Sequence, residues 1–343
     1  MKASLLLIYT GGTIGMKQDP EDRTLKPFDF SGILGEVPEL TKFALRIDAY
    51  TFDPLIDSSD VDPDTWVKLA HVIRDRYDDY DGFIVLHGTD TMAYSASALS
   101  FMLGNLAKPV VFTGSQLPIG VPRTDGKENL ISAVEIAASR DAEGRPMVPE
   151  VSICFDSHLL RGNRATKVSS EAFNAFQSPN CPVLAEAGIE IRYNRSVIRK
   201  APATPQPLRV RDRLDTRVSI LKLHPGITPA VVRYFLLSPE TRAVILETYG
   251  SGNAPSQPWF LDIVSEADRM GKVLVNVTQC QSGAVNMRIY ANGKRLEEAG
   301  VVSGGDSTTE SALGKLFVLL GETDDNRRVR ELFQQEICGE ITL

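Results

Sequence analysis

Short apolar segments alternate with helix-like segments through the first half of the chain. Six segments carry these patterns: strands are predicted at 5–9, 82–86, 109–113 and 151–155, and helices at 63–77 and 91–103. Because the predicted strands are mostly continuous apolar runs, we expect both of their faces to be covered, as in a parallel sheet. Alternation of strands and helices at this spacing indicates right-handed βαβ units.

Polar turns follow three of the predicted strands. They are Thr10-Gly11-Gly12-Thr13, His87-Gly88-Thr89-Asp90-Thr91 and Gly114-Ser115-Gln116. The carboxyl ends of parallel strands lie along one edge of a sheet, and ligands bind beyond that edge. The three turns therefore predict a polar pocket.

The apolar pattern breaks near residue 191 and resumes near residue 217. The segment 192–216 is rich in proline and arginine, which is typical of an exposed linker. Apolar segments return at 218–223, 243–246 and 273–277. The predicted class is therefore α/β, with a larger N-terminal domain over 1–191, a linker over 192–216 and a smaller α/β domain over 217–343.

Composition and charge narrow the classes of function. Hydrophobic residues make up 43% and aromatic residues 7% of the 343 residues, as in ordinary globular proteins. The net charge is −7 and no block of lysine and arginine occurs, so we expect no nucleic-acid partner. No segment approaches the ~18 apolar residues that a membrane span needs, and the apolar run 5–8 is too short for a signal peptide.

Cysteines and histidines are few and scattered. The cysteines lie at 154, 181, 280 and 338 without CxxC spacing, and the histidines form no HxxxH or HxH pair. The sequence therefore predicts neither a disulfide framework nor a metal site, and it favours a reducing cytoplasm.

The turn after the first strand presents Thr13 behind two glycines. Gly11 and Gly12 allow a sharp turn and a close approach of backbone to ligand. Such a loop can bind an anion or present a nucleophile. The spacing matches neither GxGxxG nor the phosphate-binding GK[ST] motif, so the sequence alone leaves both interpretations open.

The turn after the second strand carries Thr89 and Asp90. A hydroxyl followed by a carboxylate can bind a substrate ammonium group. Alternatively, Thr89 or Asp90 caps the helix that is predicted to begin near Thr91. His87 is attractive as a general base, but a histidine at a strand end is more often a packed supporting group.

The segment Asp57-Ser58-Ser59-Asp60 precedes the helix that is predicted from Pro63. Its hydroxyls and backbone N–H groups are able to hold a carboxylate. Capping of the Pro63 helix explains the same residues equally well.

A basic segment, Arg161-Gly162-Asn163-Arg164-Ala165-Thr166-Lys167, contributes a lysine. Lys167 either stays solvated, as most lysines do, or lies buried beside Thr89 and Asp90. In the second case it forms an activated pair with the hydroxyl.

The motifs TGGTIG, HGTDTM, TGSQ, RGNRATK and YGSGNAP occur in this order along the chain. Together they resemble the L-asparaginase family, in its cytoplasmic bacterial type I branch, over essentially the whole chain. The resemblance implies a flavodoxin-like N-terminal domain with a parallel sheet and a smaller C-terminal α/β domain. It also implies hydrolysis of L-asparagine to L-aspartate and ammonia without a cofactor, and assembly into homodimers or homotetramers.

The resemblance assigns catalytic roles to four residues. Thr13 matches the nucleophile that forms an acyl-enzyme. Thr89, Asp90 and Lys167 match a second catalytic cluster, in which the lysine lowers the proton affinity of the threonine. Backbone N–H near Thr89 would meet the oxyanion.

Substrate-binding residues follow from the same resemblance. Asp90 matches the group that binds the α-ammonium, and Ser58 matches the binder of the α-carboxylate, with Asp57 and Ser59 beside it. Asn253 matches a residue delivered by the neighbouring subunit. A pocket that fixes both charged ends sets the side-chain length, but one methylene is worth only about 1–3 kcal/mol, so minor glutaminase activity is expected.

Two departures from the family pattern matter. The loop 17–27 lacks the tyrosine that helps to activate the nucleophile in many relatives, and Leu25 lies near the expected place. Water or Thr10 would then have to assist Thr13.

The second departure concerns an effector pocket. Some relatives bind a second asparagine at positions that match Thr166 and Cys280, where an arginine pairs with the effector carboxylate. Glu247 stands at the position of that arginine. A carboxylate there disfavours the effector, so we expect weak or absent activation.

Other interpretations share some of these motifs. The amidase subunit of an archaeal-type tRNA amidotransferase carries an extra N-terminal domain, whereas only twelve residues precede Thr13 here. A non-catalytic amino-acid sensor on this scaffold would not need the full set of catalytic residues. A self-cleaving threonine hydrolase would need a threonine exposed by cleavage.

Overall fold

The computed structural model describes residues 3–18, 25–27, 33–201, 204, 206–289 and 291–342. The chain divides into two units between Val210 and Arg211. The strands of the first unit are β1 (Ser4–Tyr9), β2 (Met16–Gln18), β3 (Leu25–Pro27), β4 (Arg46–Thr51), β5 (Gly82–Leu86), β6 (Leu103–Gly104), β7 (Val110–Thr113), β8 (Val151–Phe155), β9 (His158–Arg161), β10 (Thr166–Lys167), β11 (Phe176–Gln177), β12 (Ala185–Ala187), β13 (Ile191–Tyr193) and β14 (Arg209–Val210). Its helices are α1 (Ile33–Glu36), α2 (Pro63–Asp75), α3 (Met92–Met102) and α4 (Gly126–Ala138).

The main sheet of the first unit has the order β13-β12-β9-β8-β7-β5-β1-β4. From β4 to β8 all neighbours run parallel, and from β8 to β13 they run antiparallel. Every residue of β5, β7 and β8 is buried. The prediction of a parallel sheet covered on both faces is therefore confirmed for the centre of this sheet, whereas its antiparallel end was not predicted.

Helices cover both faces of this sheet. Leu130, Ala133 and Val134 of α4 join Leu7 of β1 and Ile84 of β5 in one buried cluster. On the other side α3 contacts β8, and α2 packs on α3. Layers on both faces explain why β5, β7 and β8 are almost entirely apolar, with Thr113 and Ser152 as the polar exceptions.

The segment predicted as a linker, 192–216, is only partly irregular. Arg192 and Tyr193 belong to β13, which pairs with β12, and β14 pairs with β6. Arg161 also donates a hydrogen bond to the carbonyl of Val197 at 2.6 Å. Much of the segment is thus attached to the first unit.

The second unit has its own parallel sheet and core. Its strands are β15 (Val218–Lys222), β16 (Ala243–Thr248), β17 (Val273–Thr278) and β18 (Val302–Ser303), and its helices are α5 (Pro229–Leu237), α6 (Pro258–Arg269), α7 (Ala291–Glu298), α8 (Thr309–Glu322) and α9 (Asn326–Phe333). The four strands are parallel and adjacent in chain order. One buried cluster places α5 and α6 on one face, and a second places α8 and α9 on the other.

A buried ion pair anchors the last residues of this unit. Lys315 of α8 pairs with Glu340, and both side chains are at most 2% exposed. Lys315 also donates to the carbonyls of Phe333 and Gln335 at 2.7 and 2.6 Å. Glu340 accepts the backbone N–H groups of Ile337 and Cys338.

The described helices include none that is both long enough and apolar enough to cross a bilayer.

Candidate active site

Three loops meet at the carboxyl edge of the first unit's parallel strands, and glycines allow the contact. A Cβ added to Gly12 would lie 2.5 Å from the Cα of Gly88. A Cβ added to Gly88 would clash with Ser58. Gly12 also has a φ of +93°, a conformation that side chains disfavour. The turns that begin at residues 10 and 87 and the segment 57–60 therefore form one surface.

Thr13 begins a single 3₁₀ turn, Thr13–Gly15, just beyond β1. The turn is fixed at its base because the backbone N–H and the hydroxyl of Thr10 both donate to the carbonyl of Leu86 at 3.0 Å. The hydroxyl of Thr10 is thus occupied as a hydrogen-bond donor to the last residue of β5. The side chain of Thr13 lies in the wall of the pocket.

Thr89, Asp90 and Lys167 form one hydrogen-bonded cluster. The Nζ of Lys167 lies 2.8 Å from the Oγ1 of Thr89 and 2.6 Å from the Oδ1 of Asp90. The lysine side chain is 18% exposed, whereas that of Asp90 is 64% exposed. Lys167 therefore lies beside Thr89 and Asp90 rather than extending into solvent, which was the other alternative.

Gln116 joins this cluster, although no sequence pattern predicted an individual role for it. Its Oε1 accepts from the Thr89 hydroxyl at 3.3 Å, and its Nε2 donates to the carbonyl of Ala172 at 3.1 Å. The carboxylate of Asp125 holds the loop, since both its oxygens accept the backbone N–H of Gln116 at 3.0 Å. The only sequence signal was the position of Gln116 in a polar turn after a strand.

The capping interpretations of these loops are wrong. The helix α2 is capped by Asp62, whose carboxylate accepts from the N–H of Thr65 at 2.9 Å. The helix α3 begins after Thr91 and has no side-chain cap, so neither Thr89 nor Asp90 serves it. The segment 57–60 lies close to the start of α2, which suggested a capping role, but Asp62, directly before Pro63, is the residue that caps this helix.

The segment at Asp57 instead forms its own 3₁₀ turn, Ser58–Asp60. The carboxylate of Asp57 accepts from the backbone N–H and the hydroxyl of Ser59, both at 2.9 Å. These bonds hold the pKa of Asp57 below its usual range, so the group is charged at neutral pH. Ser58 is buried, and its carbonyl accepts from the hydroxyl of Thr91 at 2.6 Å.

His87 lies behind the cluster and is fully buried. Its Nδ1 is 2.7 Å from the carbonyl of Gly88, and its Nε2 is 2.9 Å from the Oγ of Ser95. Burial lowers the pKa of His87 to about 4, so the ring is neutral at physiological pH. Because both ring nitrogens have protein partners, His87 is a packed supporting group, as the sequence suggested.

The loops enclose a pocket of about 390 Å³ within the first unit. Its lining includes predicted residues from all three loops and the predicted lysine, namely Thr13, Asp57, Ser58, Thr89, Asp90 and Lys167. The lining also includes Ser170, which no pattern in the sequence indicated. The lining thus contains two carboxylates, of Asp57 and Asp90, and the ammonium group of Lys167, which together suit a zwitterionic ligand.

The remaining predicted site residues lie elsewhere. Asn253 belongs to the second unit, in a turn closed by its hydrogen bonds with Tyr249. Thr166 is in β10, beside Lys167. Glu247 is in β16, and Cys280 is an exposed residue shortly after β17. The predicted contribution of Asn253 to the site of another subunit stays a prediction.

Among the residues that the structure describes, no group of three histidine, cysteine, aspartate or glutamate side chains is arranged to hold a metal ion.

The chain matches known proteins over nearly its whole length. Residues 4–199 match the family model "Asparaginase, N-terminal", and residues 217–333 match "Glutaminase/Asparaginase C-terminal domain". L-asparaginase 1 of Escherichia coli (strain K12) is 43% identical over 99% of this chain and 98% of that protein. The human 60 kDa lysophospholipase is 41% identical over 98% of this chain, which spans 61% of that relative.

A solved structure shows the same architecture. L-asparaginase I from Vibrio cholerae O1 biovar eltor superposes with a TM-score of 0.91 at 40% identity, and the match covers 100% of both chains. The matches over both units show that the chain is an amidohydrolase. The chain belongs to the asparaginase family. The predicted family, fold class and class of enzyme are confirmed.

Proposed function

We propose that this enzyme hydrolyses the side-chain amide of L-asparagine, giving L-aspartate and ammonia, through an acyl-enzyme on Thr13. The observation that carries the proposal is the contact of Lys167 with both Thr89 and Asp90 in the pocket that Thr13 lines. A threonine hydroxyl is a poor nucleophile at neutral pH, so a site that uses one needs charged partners held close by.

The reaction proceeds in two steps. The Oγ1 of Thr13 attacks the amide carbon, the oxyanion accepts the backbone N–H of Thr89, and ammonia leaves with the proton of the hydroxyl. Water then attacks the resulting ester carbonyl, which releases L-aspartate and returns the proton to Thr13. Lys167 and Thr89 stabilise the negative charge that develops in both steps.

The charges of the pocket account for substrate selection. The Oδ1 of Asp90 is bound to Lys167, which leaves the second oxygen for the α-ammonium of the substrate. The hydroxyl of Ser58, which lines the pocket, binds the α-carboxylate, because both donors of Ser59 are already bonded to Asp57. Because both ends are fixed, L-glutamine places its amide carbon one methylene away from Thr13, and we expect turnover of glutamine to be slower by roughly 10- to 200-fold.

An added nucleophile tests the acyl-enzyme. With hydroxylamine present, we expect L-asparagine to give β-aspartyl hydroxamate in addition to aspartate, while ammonia release does not slow, because both nucleophiles attack the same intermediate. The measurement follows hydroxamate and ammonia together, with L-aspartate plus hydroxylamine as the control for direct chemistry. Ammonia release without hydroxamate at any hydroxylamine concentration would contradict a covalent intermediate.

We infer that activation of the enzyme by a second molecule of L-asparagine is weak or absent. The carboxylate of Glu247 is held by the Thr309 hydroxyl at 2.7 Å and lies 3.7 Å from Lys222. By the family resemblance Glu247 stands in place of an arginine that binds the effector carboxylate, and a carboxylate there disfavours that effector. We expect a hyperbolic dependence of rate on asparagine, and a sigmoidal one in Glu247→Arg. Glu247→Gln, which removes the charge without adding a cation, is the matched control. A sigmoidal curve for the wild type would refute this inference.

We also propose that the enzyme is a homodimer or homotetramer in the cytoplasm, with Asn253 of each subunit completing the site of its neighbour. The four cysteines are free thiols, which suits a reducing compartment. Asn253→Ala is therefore expected to raise KM for asparagine without changing the sedimentation coefficient. A fully active monomer in sedimentation velocity experiments would contradict the shared site.

A further inference from the structure

A chain of buried hydrogen bonds runs from Trp66 of α2 to the backbone of the catalytic loop. The indole Nε1 of Trp66 lies 2.8 Å from the Oγ of Ser95, that oxygen lies 2.9 Å from the Nε2 of His87, and Nδ1 lies 2.7 Å from the carbonyl of Gly88. Trp66 is 5% exposed, Ser95 0% and His87 1%. The chain is therefore shielded from solvent over its whole length.

The chemistry of the two ends fixes the direction of every bond. An indole N–H only donates and a carbonyl only accepts. The Nδ1 of His87 must therefore carry the proton that is given to Gly88. In a neutral ring, Nε2 then carries no proton, so its lone pair must accept a hydrogen bond from the hydroxyl of Ser95. Ser95 in turn accepts from Trp66, so each donor in the chain meets one acceptor.

The last acceptor belongs to the peptide between Gly88 and Thr89. We propose that His87 is a positioning residue for the oxyanion-binding N–H of Thr89, acting through this peptide with Ser95 and Trp66 behind it. This inference rests on the proposed function, in which that N–H meets the oxyanion.

Two physical effects follow from the bond to the Gly88 carbonyl. The peptide unit is planar, so fixing its carbonyl also fixes the direction of the N–H on its other side. Hydrogen bonds in series polarise one another, so donation to the carbonyl makes the N–H a stronger donor. The charge that develops on the substrate oxygen then meets a dipole that is already oriented.

The surroundings of the peptide support this role. Gly88 packs so closely against Gly12 and Ser58 that it has no room for a side chain. The N–H of Thr89 donates to no group in the described part of the chain, and Thr89 lines the pocket. The carbonyl is thus held from behind by His87, while the N–H on the opposite side of the peptide is available to a ligand.

Replacement of Ser95 tests the inference with a matched control. We expect Ser95→Ala to lower kcat for L-asparagine by about 3- to 30-fold with KM changed less than about twofold, since an oriented donor acts mainly on the transition state. Ser95→Thr, which keeps the hydroxyl, restores kcat. Ser97→Ala is the control, because Ser97 is equally buried on the same helix and instead donates to the carbonyl of Gly162 at 3.3 Å.

A spectroscopic measurement on the wild type does not depend on any variant folding. Nitrogen-15 NMR of the imidazole at neutral pH is expected to show a neutral His87 with the proton on Nδ1, and Ser95→Ala is expected to broaden or shift the Nε2 resonance. A proton on Nε2, or equal kcat values for Ser95→Ala and Ser97→Ala, would overturn the inference. If Thr13→Ala were active, the proposed function itself would fail; if Thr13→Ala is inactive and Ser95→Ala unaffected, only the role of His87 fails.

Discussion

Replacement of Lys167 by methionine is expected to lower kcat for L-asparagine by at least about 10³-fold. Methionine keeps the length and the apolar stem of the side chain but removes the ammonium group that contacts Thr89 at 2.8 Å and Asp90 at 2.6 Å. Thr89 then loses the charge that lowers its proton affinity, and Asp90 loses its counter-ion. Because the ammonium acts on the reacting groups more than on substrate binding, we expect KM to change far less than kcat. Steady-state ammonia release measures both.

The cluster should behave as one unit. Thr89→Val and Asp90→Asn are each expected to reduce kcat strongly. Combining either substitution with Lys167→Met should lower kcat little further than Lys167→Met alone, because the effects of residues that act as one unit are not additive. Lys294→Met removes a lysine that is 68% exposed on α7 and serves as the control. Retention of more than a tenth of the wild-type kcat by Lys167→Met, with the fold intact by circular dichroism, would rule out the proposed role.

Glu340→Ala is expected to reduce the stability of the second unit by about 3–5 kcal/mol. The substitution leaves the ammonium group of Lys315 buried without its counter-ion, and it removes the acceptor of the Ile337 and Cys338 N–H groups. Leaving one charge buried without a partner lowers the stability of the folded state more than removing both charges does. Native-state hydrogen exchange of the amides in β16 and β17 measures the free energy of unfolding for this unit.

Two comparisons sharpen that experiment. Glu331→Ala breaks the ion pair with Arg328, in which both side chains are more than half exposed, and should cost less than about 1 kcal/mol. Lys315→Met combined with Glu340→Gln removes both charges but keeps an acceptor for the backbone, so it should be more stable than Glu340→Ala. If Glu340→Ala and Glu331→Ala had equal effects on exchange, the ion pair would not anchor the end of the chain.

The predictable part of the fold is the part in which local pattern and burial agree. The strands β1, β5 and β8 were predicted within one residue, because strands covered on both faces are mostly apolar. No residue of the strand β4 is fully buried, so this strand lacks the continuous apolar run that identified the central strands. The antiparallel strands β9, β12 and β13 are short and owe their conformation to pairing.

The candidate site divides in the same way. Turns with glycine directly after apolar strands placed Thr13, Thr89 and Asp90 at one edge of a sheet, a result that topology alone provides. Lys167 is distant in sequence and lies on β10, a two-residue strand. The local pattern therefore left open whether it is solvated or lies beside Thr89, and only the family resemblance favoured the second position. Gln116 and Ser170 reach the pocket through loop conformations that tertiary contacts determine. Ser170 has no local signature, and Gln116 has only its position in a polar turn after a strand.

The strand β4 also has a consequence for self-association. It lies at the end of the main sheet, and among the described strands only β1 pairs with it, so its outer backbone groups form an open edge. Open edges recruit other chains into aggregates unless charge opposes the approach. Arg46 and Asp48 form an ion pair on this strand, and their side chains are 59% and 42% exposed. A second chain that extended the sheet here would have to desolvate that pair, so the edge is protected against aggregation.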